Sequence, residues 1–392
     1  MDAYIVAGKR SAVGKAKKGG FRFTRPDDLA AGVIKNLVKS VEGLKKENID
    51  DLIVGNAVPE AEQGMQMARY ISLLALSKDV PGMIINRYCG SGLEAIHLAC
   101  ARIHAGTAQC VIAGGTESMS MVPMTGYKSA LNYTISKKHP EYYLNMGLTA
   151  EELAKEYEIT REMSDEFSFN SHKKAIKAIK GGLFKSEIVP IEVEETYVDK
   201  QGKKKKRKET IDTDEGPRKE TSLDALSKLR PAFRLNGQVT AGNSSQTSDG
   251  SAFVVVMSEQ MVKELNLKPL ARMVSYATAG VEPRIMGIGP AKAVPKALFQ
   301  AGLKLNQIEQ IELNEAFAAQ ALSVIKALDL DKKIINVNGG AVALGHPLGM
   351  TGAKLSIKLI NEMKRRNQKY GIVTACVGGG QGVCGVFENL IL

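Results

Sequence analysis

Two stretches of this chain return in its second half, in the same order. Residues Ile308-Glu309-Gln310-Ile311-Glu312-Leu313 repeat the pattern of Ile49-Asp50-Asp51-Leu52-Ile53-Val54. Residues Gly371-Ile372-Val373-Thr374-Ala375-Cys376 repeat that of Cys110-Val111-Ile112-Ala113-Gly114-Gly115. Both matches imply an offset of about 260 residues, the mark of a duplicated domain rather than of a short solenoid repeat. The likeness lies in pattern more than in letters. Short β-branched runs at 3–6, 51–54, 82–85 and 110–115 alternate with helical spacing over 27–41, 66–76 and 92–104. Strands at 271–274, 308–313 and 371–376 and a helix over 291–301 follow in the second half. Such alternation predicts α/β layering around a largely central sheet.

Between the repeats, from about 119 to 240, lies a segment rich in Met, Lys and Glu. It reads as an inserted loop domain, with two helices over 149–180 and a capping-box-like start at Thr160. The buried strand 249–257 then returns the chain to the core. The 392 residues suggest two or three domains. With 44% hydrophobic and 24% charged residues, the composition is that of an ordinary globular protein. No apolar run approaches the length of a membrane span, and the first ten residues lack a secretory pattern. The five cysteines, Cys89, Cys100, Cys110, Cys376 and Cys384, are odd in number and form no CxxC pair. A reducing, cytoplasmic setting fits them better than a disulfide framework. Cys100 and Cys110 read as core fillers. The net charge of +11 is partly local, in Lys203-Lys204-Lys205-Lys206-Arg207-Lys208. This run flanks 198–202, which reads as the tip of an exposed hairpin. It lacks the interleaved aromatics of a nucleic-acid surface and reads as solvated.

Four segments carry the residue types that chemistry needs. Asn86-Arg87-Tyr88-Cys89-Gly90-Ser91-Gly92-Leu93 follows a strand and opens a helix. Its glycines permit a sharp turn, and the helix start supplies free N–H groups that favour a thiolate. Cys89 therefore reads as a nucleophile, or as a buried cysteine in a tight turn. His346, one of five histidines, sits in the glycine-dense loop 338–349. It reads as a base or carbonyl donor, or as a histidine satisfying loop carbonyls. Cys376 enters a glycine run ending at Gly382. Its thiol suits acid–base work on carbon, the alternative being a glycine turn closing a core strand. Asn314 follows the strand 311–313, where an amide can fix a water or a carbonyl.

Together, the segments 314–318, 339–347 and 376–382 resemble the three C-terminal motifs of the thiolase family, and 86–93 resembles its nucleophile motif. The segments 114–120 and 240–245 match in order as well, so the resemblance spans nearly the whole chain. It implies an α/β, thiolase-like fold of duplicated five-layered α/β/α/β/α halves with an inserted loop domain. The implied N-terminal half is 1–118 plus 241–268, the CoA-binding loop domain 119–240, and the C-terminal half 269–392. By the same resemblance Cys89 is the nucleophile, His346 activates it, and Cys376 is the second acid–base group. The N–H groups of Cys89 and Gly380 would form one oxyanion hole, and His346 with a water held by Asn314 the other. Arg218 and Ser245 match positions that contact CoA, and Ala316 and Phe317 positions that line its pantetheine end. CoA is a substrate in this scheme, and no cofactor or metal is implied.

The implied reaction is thiolysis of 3-ketoacyl-CoA by CoA, giving acetyl-CoA and a shortened acyl-CoA, as in fatty-acid β-oxidation. Biosynthetic, acetoacetyl-CoA-specific members have His-Met-Gly near the start of the loop-domain helices; this chain has Asn145-Met146-Gly147. The stretches 146–167, 214–218 and 285–290 look closer to degradative members. An acetoacetyl-CoA thiolase condensing two acetyl-CoA is the alternative. A non-catalytic binding protein on the same scaffold rests only on the basic run, and the motif at Cys376 speaks against a decarboxylating ketoacyl synthase. The implied partners are acyl-CoA and CoA, a second or further copies in a homodimer or homotetramer, and a β-oxidation multienzyme partner. Neither nucleic acid nor a membrane span is expected.

Overall fold

The computed structural model describes residues 2–199 and 201–391. Met1, Leu392 and Lys200, which falls within the expected hairpin tip 198–202, lie outside the described residues. The strands are β1 Ala3–Arg10, β2 Gly14–Lys15, β3 Asp51–Gly55, β4 Gly82–Ile85, β5 Cys110–Ser118, β6 Ile191–Val198, β7 Lys204–Ile211, β8 Ser248–Ser258, β9 Ala271–Gly280, β10 Gln310–Leu313, β11 Tyr370–Val377 and β12 Gln381–Asn389. Nine pair in the order β4-β3-β5-β8-β1-β9-β12-β11-β10, and β2 adds to β8.

The sheet is its own repeat. On one side β3 runs parallel to β4 and β5, and β8 lies antiparallel between β5 and β1. On the other, β10 runs parallel to β11, and β12 lies antiparallel between β11 and β9. The halves meet where Ile5 pairs with Ala271. Thus β10 answers to β3 and β11 to β5, the two matches read from the sequence. The counterpart of β4 shrinks to a single parallel bridge between Ile311 and Ile335.

The helices Ser91–His104 and Leu348–Arg366 pack on each other and on strands of both halves. The helices Pro26–Lys39 and Met67–Ala75 cover the outer face of the first half. Gly289–Ala301 and Ala318–Leu328 cover the outer face of the second. The five layers therefore belong to the two halves together, with the central helices shared. The Leu348–Arg366 helix is buried on all sides from Leu348 to Ile360, because it lies between the two halves of the sheet. Each buried Leu or Ile of this layer contributes about 1.5–3 kcal/mol. The helix also buries two lysines, which need partners. Lys354 Nζ donates to Gly345 O at 2.7 Å, and Lys358 Nζ pairs with Glu312 at 2.8 Å.

Close approach of the central helices depends on glycine. A methyl added at Gly92 would come within 2.7 Å of Gly349 O, and one at Gly352 would run into the Leu93 backbone. The crossing therefore brings the N-termini of both helices together, and Cys89 and His346 each stand just before one of them.

The two helices expected over 149–180 are Met146–Glu156 and Arg161–Lys180. Thr160 caps the second, its hydroxyl accepting from Met163 N at 3.3 Å. The basic run lies on β7 of an exposed two-stranded hairpin, opposite β6. Its cations face carboxylates: Lys206 with Glu194 at 2.6 Å, Lys208 with Glu192 at 2.9 Å and Arg207 with Glu195 at 3.1 Å. Strand β1 runs four residues further than its apolar start implied, because Arg10 is buried against Glu187 at 2.8 Å and Asp214 at 2.7 Å.

Candidate active site

Cys89 sits in the one-turn 3₁₀ segment Tyr88–Gly90, between β4 and the Ser91–His104 helix. Tyr88 has φ 41°, a left-handed conformation that costs an aromatic residue free energy and needs outside support. The support is local. Asn86 Oδ1 accepts from Tyr88 N at 2.8 Å while Asn86 Nδ2 donates to Ala57 O at 3.0 Å. Ser91 Oγ accepts from Arg87 N at 2.8 Å and donates to Tyr88 O at 2.7 Å.

Cys89 is 1% exposed, among Ala57, Val58, Met119, Val122 and Leu348. Burial pushes its thiol up to about 12, while the N–H groups of Gly378 and of Cys89 itself pull the other way. The helix start expected to favour a thiolate is thus opposed by loss of hydration. His346 is likewise held neutral. Burial first, and then the Lys354 charge, lowers it to about 3.

The imidazole is oriented from both sides. The Thr351 hydroxyl donates to Pro347 O at 2.8 Å, so it accepts from His346 Nδ1–H at 2.6 Å. That assignment leaves Nε2 unprotonated, with Asn314 Nδ2 donating to it at 3.2 Å. Asn314 is fixed at the end of β10 by its own N–H to Thr374 O, 2.9 Å, and its Oδ1 is buried without a protein partner. Cys376, fully buried at the end of β11, packs with Ala150, Val239, Met286, Ala316 and Phe317. Its thiol is also raised, by burial and then by the nearness of Cys89. The two sulfurs thus sense each other although they come from opposite halves.

The glycine run after Cys376 holds a difference from expectation. Gly380 packs against Val281 and Pro283, where a side chain would strike Val281 O and the Pro283 backbone. The N–H facing the Cys89 sulfur is that of Gly378, two residues earlier. Nothing in the letters separates one glycine of this run from the next.

Of the CoA candidates, Ser245 and Ala316 are joined by Ser245 N to Ala316 O at 2.9 Å, and Phe317 packs in the cluster that holds Cys376. Arg218 stands on the other side of the same loop, its guanidinium donating to Ala241 O at 3.4 Å. Its backbone N–H donates to Nδ1 of the buried His172 at 3.1 Å.

Three carboxylates and two ammonium groups without an assigned role shape the loops. Glu117, 1% exposed, accepts from Ala57 N and Gly349 N, both at 2.8 Å, and from Gln63 Nε2 at 2.8 Å. It thereby ties the helix start after His346 to the bed of Cys89. Glu315 accepts from Ser171 at 2.7 Å, Asn336 at 2.8 Å and Val342 N at 3.2 Å, and so holds the glycine loop that leads to His346. Glu312 acts through Lys358, which donates to Gly339 O at the start of that loop. Lys354 fixes its end at Gly345. No group of three His, Cys, Asp or Glu side chains suited to a metal ion occurs among the described residues.

Family comparisons agree with this architecture. A family model for the thiolase N-terminal domain matches residues 3–260, and one for the thiolase C-terminal domain matches residues 267–389. The chain is 52% identical to a 3-ketoacyl-CoA thiolase of Bacillus subtilis over 388 residues, covering 99% of each. It is 44% identical to an acetyl-CoA acetyltransferase of Pseudomonas aeruginosa, covering 98% of each. The crystal structure of human mitochondrial 3-ketoacyl-CoA thiolase is similar at a TM-score of 0.89 and 38% identity, covering 99% of both chains.

Proposed function

The chain belongs to the thiolase family and is an acyltransferase, and from that premise we propose that it cleaves 3-ketoacyl-CoA with CoA, as in fatty-acid β-oxidation. The observation that supports this reading is that Cys89 and His346 stand at the starts of two crossing helices, with Asn314 Nδ2 3.2 Å from His346 Nε2 and Cys376 close enough to Cys89 to raise its thiol.

In this reading His346 Nε2 takes the Cys89 proton as the sulfur attacks the 3-keto carbon. The C2–C3 bond breaks, its electron pair staying on C2 as the acetyl-CoA enolate. The Cys376 thiol protonates C2, and acyl-Cys89 remains. CoA then gives its thiol proton to Cys376, attacks the thioester, and Cys89 leaves with the proton held on His346. Splitting the transfer in two lowers each barrier. The N–H groups of Cys89 and Gly378 are the donors for one oxyanion. Protonated His346, with a water on the free Asn314 Oδ1, serves the other. Because Cys89 and Cys376 are buried, the ketoacyl chain reaches them by displacing their cover, which Met146, packed beside Cys376, helps to form.

We place CoA against the segment 119–240, with Arg218 and Ser245 on its polar part and Ala316 and Phe317 along pantetheine. No cofactor is needed. Asn145 stands where biosynthetic members carry histidine, which favours the degradative reading; here its side chain caps a helix, accepting from Leu148 N at 2.9 Å. A homo-oligomer is supported by the outer edge of β4 beside the exposed Met65, Tyr70, Leu73 and Leu74. Five free cysteines suit a cytoplasmic location. A β-oxidation partner enzyme fits the same role. The test is thiolysis measured over 3-ketoacyl-CoA chain lengths. Activity at several lengths, abolished in Cys89→Ala, is expected. Activity confined to the four-carbon substrate would favour acetoacetyl-CoA synthesis, and none at any length would overturn the reading.

A further inference from the structure

The peptide at Gly378 comes from the second half of the chain, yet its N–H serves a sulfur of the first. Two such groups stay in register only if their loops are tied together, since a displacement of about 1 Å costs on the order of a hundredfold in rate. A tie is present. Arg87, two residues before Cys89, donates from its guanidinium to Gln381 Oε1 at 3.0 Å. Gln381 Nε2 in turn donates to Gly378 O at 3.3 Å. A guanidinium has no acceptor, so the amide oxygen must face Arg87 and the amide nitrogen must face Gly378. Arg87 is itself braced by Glu94, whose other contact is the Tyr276 hydroxyl at 2.5 Å. Gly378 also lies against the Tyr88 ring, on the strained turn that carries the nucleophile.

We propose that Arg87 and Gln381 are positioning residues that lock the Gly378 peptide to the Cys89 turn across the two halves of the fold, and so set the donor that meets the sulfur and the first oxyanion. The proposal rests on the reading of Cys89 as the nucleophile. It also explains why a half-buried cation stands beside a thiol it does not touch: its charge is spent on Glu94 and its remaining donor on the amide.

The test is a cycle of Gln381→Leu, Arg87→Met and the double variant in the full-length protein. Thiolysis kcat should fall about tenfold in Gln381→Leu with KM for CoA within about twofold, and the double variant should be scarcely worse than the poorer single one. In the same variants Cys89 alkylation by iodoacetamide should slow by a constant factor of about threefold or more across the pH range, as loss of an N–H donor to the thiolate requires, while the thermal midpoint stays within a few degrees of the wild type. Gln381→Glu, which keeps the contact to Arg87 but cannot donate to Gly378 O, should behave like Gln381→Leu. Unchanged kcat and alkylation profile in Gln381→Leu, or multiplying effects in the double variant, would overturn the proposal. Loss of the thiolase reading itself would show separately, as wild-type protein without thiolysis or as full activity in Cys89→Ala.

Discussion

Thr351 Oγ1 stands 2.6 Å from Nδ1 of His346, and its own proton is committed to Pro347 O at 2.8 Å. One hydroxyl on the first turn of a central helix therefore decides which imidazole nitrogen is left bare towards Asn314. Thr351→Val keeps the shape and removes the acceptor. General-base catalysis is worth about 10²–10⁴, and a misplaced tautomer forfeits part of that. We expect kcat to drop roughly ten- to a hundredfold in Thr351→Val, with Thr351→Ser within about threefold of the wild type. Equal losses in both variants would show that volume, not the hydroxyl, is what matters.

The same helix crosses its partner at Gly352 and Gly92, where no side chain fits. Overpacking of this kind costs about 1–3 kcal/mol or more. Gly352→Ala should lower the thermal midpoint by several degrees and reduce thiolysis further than the lost stability alone accounts for, because the helix starts carrying Cys89 and His346 move apart. Calorimetry and assays of the same preparation separate the two effects. A variant with wild-type midpoint and rate would refute the role given to this crossing.

Much of this was legible in the letters. The alternation of short β runs and helical spacing gave the layers, since the periods 2 and 3.6 follow from backbone geometry alone. Cys89, His346 and Cys376 stand out in the sequence because glycine crowds round them, and Asn314 because it ends a strand; the structure sets Asn314 against His346 at 3.2 Å and Cys376 near Cys89. What stayed hidden depends on long-range partners. Strand β1 reaches Arg10 only because Glu187 and Asp214 meet its charge. Glu117 acts on backbone groups elsewhere in the fold, Thr351 and Lys354 act through a turn whose shape the letters do not give, and a sequence does not show where an N–H points, so Gly378 could not be told from Gly380. A helix start favours a thiolate at Cys89, and the burial that opposes it is recorded in no local stretch of sequence.

That opposition makes a prediction about Cys89 itself. With the thiol pushed up to about 12 and His346 lowered to about 3, the substrate-free site holds a neutral pair rather than a thiolate and an imidazolium. The thiolate is the form that reacts, so alkylation of Cys89 by iodoacetamide should climb about tenfold per pH unit between roughly pH 6 and 9, without levelling. Cys376→Ser keeps the cysteine under study identifiable by peptide mass. A plateau with a midpoint below about pH 8 would show that an ion pair exists before substrate arrives.

His172 gives the pH dependence of stability a second handle. It is 1% exposed, its Nδ1 accepts the Arg218 N–H, and burial followed by the charges of Arg218 and Lys15 lowers it to about 4. An unfolded histidine titrates near 6.5, so between about pH 6.5 and 4 the unfolded chain binds a proton that the native chain refuses. The stability contribution is complete above that window and is lost as pH falls through it, by roughly 3 kcal/mol at the limit. Glu312, raised to about 7 by burial, works in the opposite sense: its contribution is complete at low pH and fades as pH rises through neutrality. His172→Gln retains an acceptor for Arg218 but no titrating group. Its denaturant midpoint should therefore fall less steeply than that of the wild type from pH 6.5 to 4.5, while above pH 7 the two differ by a constant amount. Parallel curves across the whole range would mean that His172 takes up its proton equally readily in the native and the unfolded chain.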